Sequence, residues 1–190
     1  MIKIGILGKI GSGKSYISKM FGCPVFNADE EVIKIYKTDK KCFNKLKKKL
    51  PDYIHSFPIK KNELQSAILD NQRNLFKINK IVHPIVRNKM KKFLIINSNK
   101  KMVVLDIPLL LENKLNKKNY ILIYVNAKKK QILKRLKLRK NYNSKILKKL
   151  EKTQLKLEQK RKKSNFIINN NFKKNTVRKS VKLILRKILN

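Results

Sequence analysis

A chain of 190 residues with 42% hydrophobic residues is long enough to bury one core, and its periodic Ile and Leu exclude wholesale disorder. The charge is extreme: 50 Lys and Arg against 11 Asp and Glu give +39, which admits nucleic acid, an anionic membrane or a polyanionic small molecule as partner without choosing among them. The two cysteines, Cys23 and Cys42, lack metal-ligand spacing, and no apolar run approaches the ~18 residues of a membrane span, so the expectation is a reduced, cytoplasmic chain with no membrane segment.

Residues 2 to 7, "IKIGIL", form a short apolar run that suits a buried parallel strand. "SYISKMFG" then has helical spacing and stops at Gly22. "CPVFNAD" reads as a second short strand, with Asp29 at its C-terminal end or at the cap of the helix "EEVIKIY". From about 39 to 99 the pattern turns helical and very basic, broken by Pro51, Pro58 and Pro84, with "NELQSAILDNQRNLFKINKIV" its most regular stretch. Strand signals return at "KMVVLDIPLL" and "YILIYVNA". "KKKQILKRLKLR" and "SKILKKLEKTQLKLEQKRKK" are helical, "NFIINN" is a last strand, and "VRKSVKLILRKIL" is a closing amphipathic helix. Strands alternating with helices predict an α/β fold with a mainly parallel sheet covered on both faces, a three-layer sandwich. The lysine-dense run from about 136 to 164 lies outside that sheet.

"GILGKIGSGKS", residues 5 to 15, carries the strongest chemical signal. Gly8, Gly13, Lys14 and Ser15 satisfy G-x-x-x-x-G-K-[ST] between a strand and a helix, the context the motif requires. With glycine at ~7% of average proteins, the full pattern arises by chance in less than about 1% of chains this long. Glycines let consecutive N–H groups turn inward around phosphate oxygens at a helix N-terminus. Lys14 is then expected to reach the β- and γ-phosphates of ATP and Ser15 to ligate Mg²⁺. The residues expected to hold the nucleotide are Gly8, Lys9, Ile10, Gly11, Ser12, Gly13, Lys14, Ser15 and Tyr16.

A phosphate cradle says nothing of the acceptor, so polar groups at strand ends come next. Asp29 follows the second strand, where an Asp taken alone is a helix N-cap. His83 precedes Pro84 on an amphipathic stretch. "LDIPLLLEN" carries Asp106, at an apolar strand end where a carboxylate near Mg²⁺ is expected, and Glu112, which would cap or brace the following turn. Arg135 and Arg139 lie one helical turn apart, as ordinary solvated helix residues also would.

These segments together resemble the dephospho-coenzyme A kinase family nearly end to end. They are "GILGKIGSGKS", "NAD" at 27 to 29, "HP" at 83 to 84, "LDIPLLLEN" at 105 to 113, "LKRLKLR" at 133 to 139, and "QLKLEQK" followed by "NFIINN" from 154 to 170. The resemblance implies a single P-loop kinase domain. Its core would span 1–28, 100–135 and 165–190, with a helical substrate lobe at 29–99 and a lid at 136–164. It implies ATP-dependent phosphorylation of the 3′-hydroxyl of dephospho-coenzyme A, with ATP and that acceptor as small-molecule partners in a monomer. Asp29 takes the position of the catalytic carboxylate, and a hydroxyl needs such a proton acceptor during phosphoryl transfer. His83 matches a substrate-lobe histidine, Arg135 an arginine at the edge of the lid that neutralises charge, and Arg139 its companion on the nucleotide.

Three departures stand against the pattern. Asn27-Ala28-Asp29 replaces Asp-x-Asp, Lys140 stands where an acid usually follows the second arginine, and Asn165 and Asn169 replace acids in the closing segment. Another small P-loop kinase, such as one acting on nucleoside monophosphates, would share loop, sheet and arginines but not the IPLLLE segment or the HP pair. The charge also raises a catalytically decayed, nucleic-acid-binding P-loop protein, although no zinc spacing, RNP-like strand or basic zipper is present. Non-specific polyanion binding at low salt is expected in either case. The stripe Val177, Val181, Ile184, Leu185 and Ile188 fits core packing better than a membrane surface.

Overall fold

The computed structural model describes residues 1–116, 119–139 and 142–189. In chain order the elements are β1 (Ile2–Gly8), α1 (Lys14–Lys19), β2 (Val25–Asn27), α2 (Ala28–Thr38) and α3 (Lys40–Lys49). Then follow α4 (Lys61–Asp70), α5 (Gln72–Ile96), β3 (Met102–Asp106), β4 (Tyr120–Asn126) and α6 (Lys129–Lys137). The chain closes with α7 (Ser144–Glu151), α8 (Leu157–Lys162), β5 (Phe166–Asn169) and α9 (Lys174–Leu189). Two compact units result: Met1–Asn27, Ile96–Tyr142 and Glu151–Asn190 form the first, and Ala28–Ile95 with Asn143–Leu150 the second.

The first unit is built on a five-stranded sheet in the order β2-β3-β1-β4-β5, with every neighbouring pair parallel. Parallel strands need crossovers and bury both faces, which is why "IKIGIL" and "MVVLD" read as continuous apolar runs. Side chains alternate across the pleat, so Ile4, Ile6, Val104, Ile123, Val125 and Ile168 join one core with Ile17 and Phe21, and with Val177, Val181 and Ile184 of α9. Leu185 and Ile188 pack against that core, so the closing stripe is core packing. Each such fully buried aliphatic side chain contributes about 1.5–3 kcal/mol. On the other face a Cβ at Gly5 would fall 2.5 Å from Leu110, so the turn after β3 lies directly on the strand. Also, α8 packs against β1. This is the expected three-layer α/β sandwich.

The second unit is helical, with Ile35, Cys42, Leu46, Leu50, Ile54, Ala67 and Leu75 buried in its interior. Its most regular stretch, expected to be helical, is two helices divided at Asn71. That residue is extended, and its Oδ1 accepts from the Arg73 backbone N–H at 2.8 Å, which ends α4 and caps α5. Conversely, α5 runs through Pro84, where a break was expected. The missing N–H costs one helical bond, but Ile78, Val82, Val86 and Met90 keep one buried stripe on both sides of the proline, whose own ring is exposed. The segment 144–163, expected to be helical, forms two helices parted by the turn at 152–156. None of the described helices is long and apolar enough to cross a membrane.

Candidate nucleotide and phosphoryl-transfer site

At the C-terminal end of the central strand β1, residues 9–13 turn back on themselves and α1 starts at Lys14. Gly13 has φ 91 in the left-handed region, and a Cβ on it would fall 2.5 Å from Asn170 Nδ2. Gly11, with φ 82, is pressed against α6, where a Cβ would come within 2.9 Å of Leu136. Lys14 is buried and its Nζ donates to the carbonyls of Gly8 at 3.1 Å and Lys9 at 2.9 Å. The ammonium thus sits over its own loop, on the carbonyls that border the cradle. Ser15 and Tyr16 are exposed in the first turn of α1. Lys9 pairs with Glu151 at 3.1 Å.

Asp106 ends β3 beside the end of β2, where Asn27 is its register partner. Asp106 is only 3% exposed, and Asn27 Nδ2 donates to its Oδ2 at 3.3 Å. An Asp at 27 would set a second carboxylate against Asp106, and like charges so placed oppose ionisation. The amide at 27 supplies a donor instead. Asp106 lies at the carboxyl edge of the sheet, where α/β folds place their ligands.

On α6, Arg135 lies over the ring of Phe172, with the guanidinium carbon 4.6 Å from the centroid. Arg139 falls outside the helix, beyond the cap at Leu138, because α6 stops at Lys137 and the Arg139 N–H closes a turn on Leu136 O. Lys140 lies outside the described residues. Asn165 and Asn169 have sheet roles. Asn165 Oδ1 accepts from the Leu122 N–H at 2.8 Å, and Asn169 Oδ1 accepts from Asn126 Nδ2 at 2.9 Å, both along the β4–β5 seam.

Asp29 and His83 belong to the second unit. Asp29 stands exposed in the first turn of α2, two residues past the end of β2, among Asp29, Glu30 and Glu31, where negative charge suits a helix N-terminus. Glu31 pairs with Lys34 at 2.7 Å and with Lys89 of α5 at 3.5 Å, and the Lys34 hydrogen bond, ahead of the nearby charges, lowers its pKa. His83 is half-buried on α5; burial first, then the Arg87 charge, lowers its pKa, so its ring stays neutral at neutral pH.

Glu112 braces its turn, as expected, but through a partner that sequence reading did not single out. Lys160 of α8 is 0% exposed and its Nζ meets Glu112 Oε1 at 2.8 Å and Gln154 Oε1 at 3.0 Å. The same Glu112 oxygen accepts from the Leu155 N–H at 2.9 Å. Asn170 and Phe172, beside the phosphate loop, were also missed, although "NFIINN" contains the first. Among the described residues, no group of three or more His, Cys, Asp and Glu side chains could hold a metal by itself.

The family model for dephospho-CoA kinase matches residues 2–175. A dephospho-CoA kinase of Bartonella henselae is 31% identical over 191 residues, covering 98% of this chain and 97% of the relative. One from Wolbachia of Brugia malayi is 34% identical, covering 96% and 95%. Among solved structures, the dephospho-CoA kinase from Campylobacter jejuni superimposes with a TM-score of 0.65 at 22% identity, covering 98% of this chain and 96% of that one.

Proposed function

Because the chain belongs to the dephospho-CoA kinase family, we propose that it transfers the γ-phosphoryl group of ATP to the 3′-hydroxyl of dephospho-coenzyme A, giving coenzyme A and ADP. The observation that carries the reading is the complete phosphate loop, with Lys14 laid over the Gly8 and Lys9 carbonyls, in a chain matched from residue 2 to 175 by that family.

In this reading the loop N–H groups and Lys14 hold the triphosphate, with Lys9, Ile10, Gly11, Ser12 and Tyr16 shaping the cradle. The Ser15 hydroxyl and the Asp106 carboxylate are hard oxygen donors that suit Mg²⁺, which commonly takes one or two protein oxygens and fills its remaining positions with water and phosphate. When bound there, Mg²⁺ supplies charge neutralisation on the phosphates. Asp29 accepts the hydroxyl proton as the acceptor oxygen bonds to the γ-phosphorus and the bond to the bridging β–γ oxygen breaks, releasing ADP. Arg135 and Arg139 offset charge on the transferring group, and neutral His83 contacts the acceptor. The lysine-rich segment 136–164 serves as the lid. The enzyme works as a cytoplasmic monomer, in keeping with the free thiols of Cys23 and Cys42.

The test is ATP-dependent formation of coenzyme A by the purified protein, with nucleoside monophosphates as rival acceptors and Asp29→Asn as the control. Turnover of dephospho-coenzyme A that drops ~10²–10⁴-fold in the variant, with ATP KM unchanged, supports reaction and base. ATP binding without turnover of that acceptor would overturn the assignment.

A further inference from the structure

We propose that Asn170 is a positioning residue of the phosphate loop, orienting the Ser12–Gly13 peptide so that the Gly13 N–H is presented to nucleotide phosphate. The proposal rests on the nucleotide reading of the loop, and not on which alcohol accepts the phosphoryl group. Asn170 follows β5 and is 4% exposed. Its backbone N–H is pinned to Asn126 O at 2.7 Å, at the end of the β4–β5 seam. Its side chain then divides between two loops. Nδ2 donates to Ser12 O at 2.7 Å, and Oδ1 accepts from the Phe172 N–H at 2.8 Å.

A trans peptide is planar, with its C=O and N–H pointing in opposite directions. Drawing Ser12 O onto Asn170 therefore turns the Gly13 N–H away from Asn170, at the last loop peptide before Lys14. Within the loop the Ser12 N–H closes on Lys9 O at 3.1 Å and the Ile17 N–H holds Gly13 O at 3.1 Å, while the Lys14 ammonium donates to the carbonyls of Gly8 and Lys9. Those two ammonium bonds weaken when Lys14 turns to a phosphate, whereas the Asn170 bond does not compete with the ligand. The same side chain enforces glycine at 13, since a Cβ there would lie 2.5 Å from Nδ2 and 3.5 Å from the Phe172 ring. That ring in turn carries the Arg135 guanidinium. One turn after β5 thus reaches both the phosphate loop and the arginine of α6.

Asn170→Asp keeps the acceptor for Phe172 N–H, removes the donor to Ser12 O, and sets a carboxylate oxygen against that carbonyl. The experiment measures ADP and AMP dissociation constants by calorimetry, KM for ATP and for the acceptor, and the melting midpoint. The expected result is at least a tenfold loss of ADP affinity, an ADP-to-AMP affinity ratio that collapses toward one, and a raised ATP KM with the acceptor KM within twofold. Equal losses for ADP and AMP would overturn the proposal, since they would mark a contact to the base or a general loosening. So would an ADP affinity within twofold of the parent. If Asn170→Asp does not fold, Asn170→Ala is measured in the same way, and failure of both to fold assigns the residue to the fold and overturns the proposal. Nucleotide binding by the parent without coenzyme A formation would sink the acceptor assignment while leaving this test intact.

Discussion

Replacing Lys160 by Met removes a cation that is wholly inside the protein while keeping most of its aliphatic volume. At 2.8 Å, and with an effective dielectric near 20, the Lys160–Glu112 attraction is worth about 6 kcal/mol. Desolvating the two ions costs several kcal/mol each, so the intact pair is close to neutral in net effect. Deleting one partner is another matter: Glu112 is left largely buried with its charge opposed only by the Leu155 N–H and its neighbours. Lys160→Met is therefore expected to lower unfolding free energy by about 3–5 kcal/mol, and Lys160→Met with Glu112→Leu to recover most of that loss. Urea unfolding followed by circular dichroism on the two single variants and the double gives the coupling directly. Because Glu112 also holds the Leu155 N–H, Lys160→Met should lower kcat as well, through the turn that follows Asp106. A single variant costing under about 1 kcal/mol, or a double variant no more stable than the single, would refute the reasoning.

Gly13→Ala places a Cβ against Asn170 at a left-handed φ, so it should cost about 1–3 kcal/mol and abolish ADP binding at concentrations that saturate the parent, as calorimetry would show. His83 has a lowered pKa, so the unfolded chain takes up its proton first; its contribution is full above 6.5 and fades as pH falls below that value. Stability measured from pH 7.5 to 5 should therefore lose part of its acid slope in His83→Gln, and a His83 ring titrating above 6.5 by NMR would contradict this. The +39 charge predicts retention on duplex DNA at 50 mM salt that collapses by about 200 mM, as expected of counterion release; retention unchanged over that range would point to a specific nucleic-acid site.

The phosphate loop, the strand–helix alternation and the closing stripe were legible because each is local. Glycine spacing, β-run length and a 3.6-residue period all report on neighbours a few positions away. Local signals also misled at Pro84, where a continuous buried face outweighs one missing hydrogen bond, and they did not mark the division at Asn71, whose side chain accepts from the Arg73 N–H at the start of α5. The family segments located Asp29, His83, Asp106 and the arginines as positions along the chain. They did not reveal what those residues touch. That Asn27 faces Asp106 follows from β2–β3 register, and that Arg139 leaves α6 follows from where the helix stops. Glu112 could be read as a brace, but its partner Lys160 lies on another helix, and a lysine among so many carries no mark of burial. Asn170 reaches Ser12 across 158 residues of sequence. The sequence by itself determined the cradle and the class of chemistry, because these are written in short-range backbone preferences. Only the tertiary structure decided which distant side chains hold that cradle in shape, because a hydrogen bond between two strand ends exists only once the parallel sheet has brought them together.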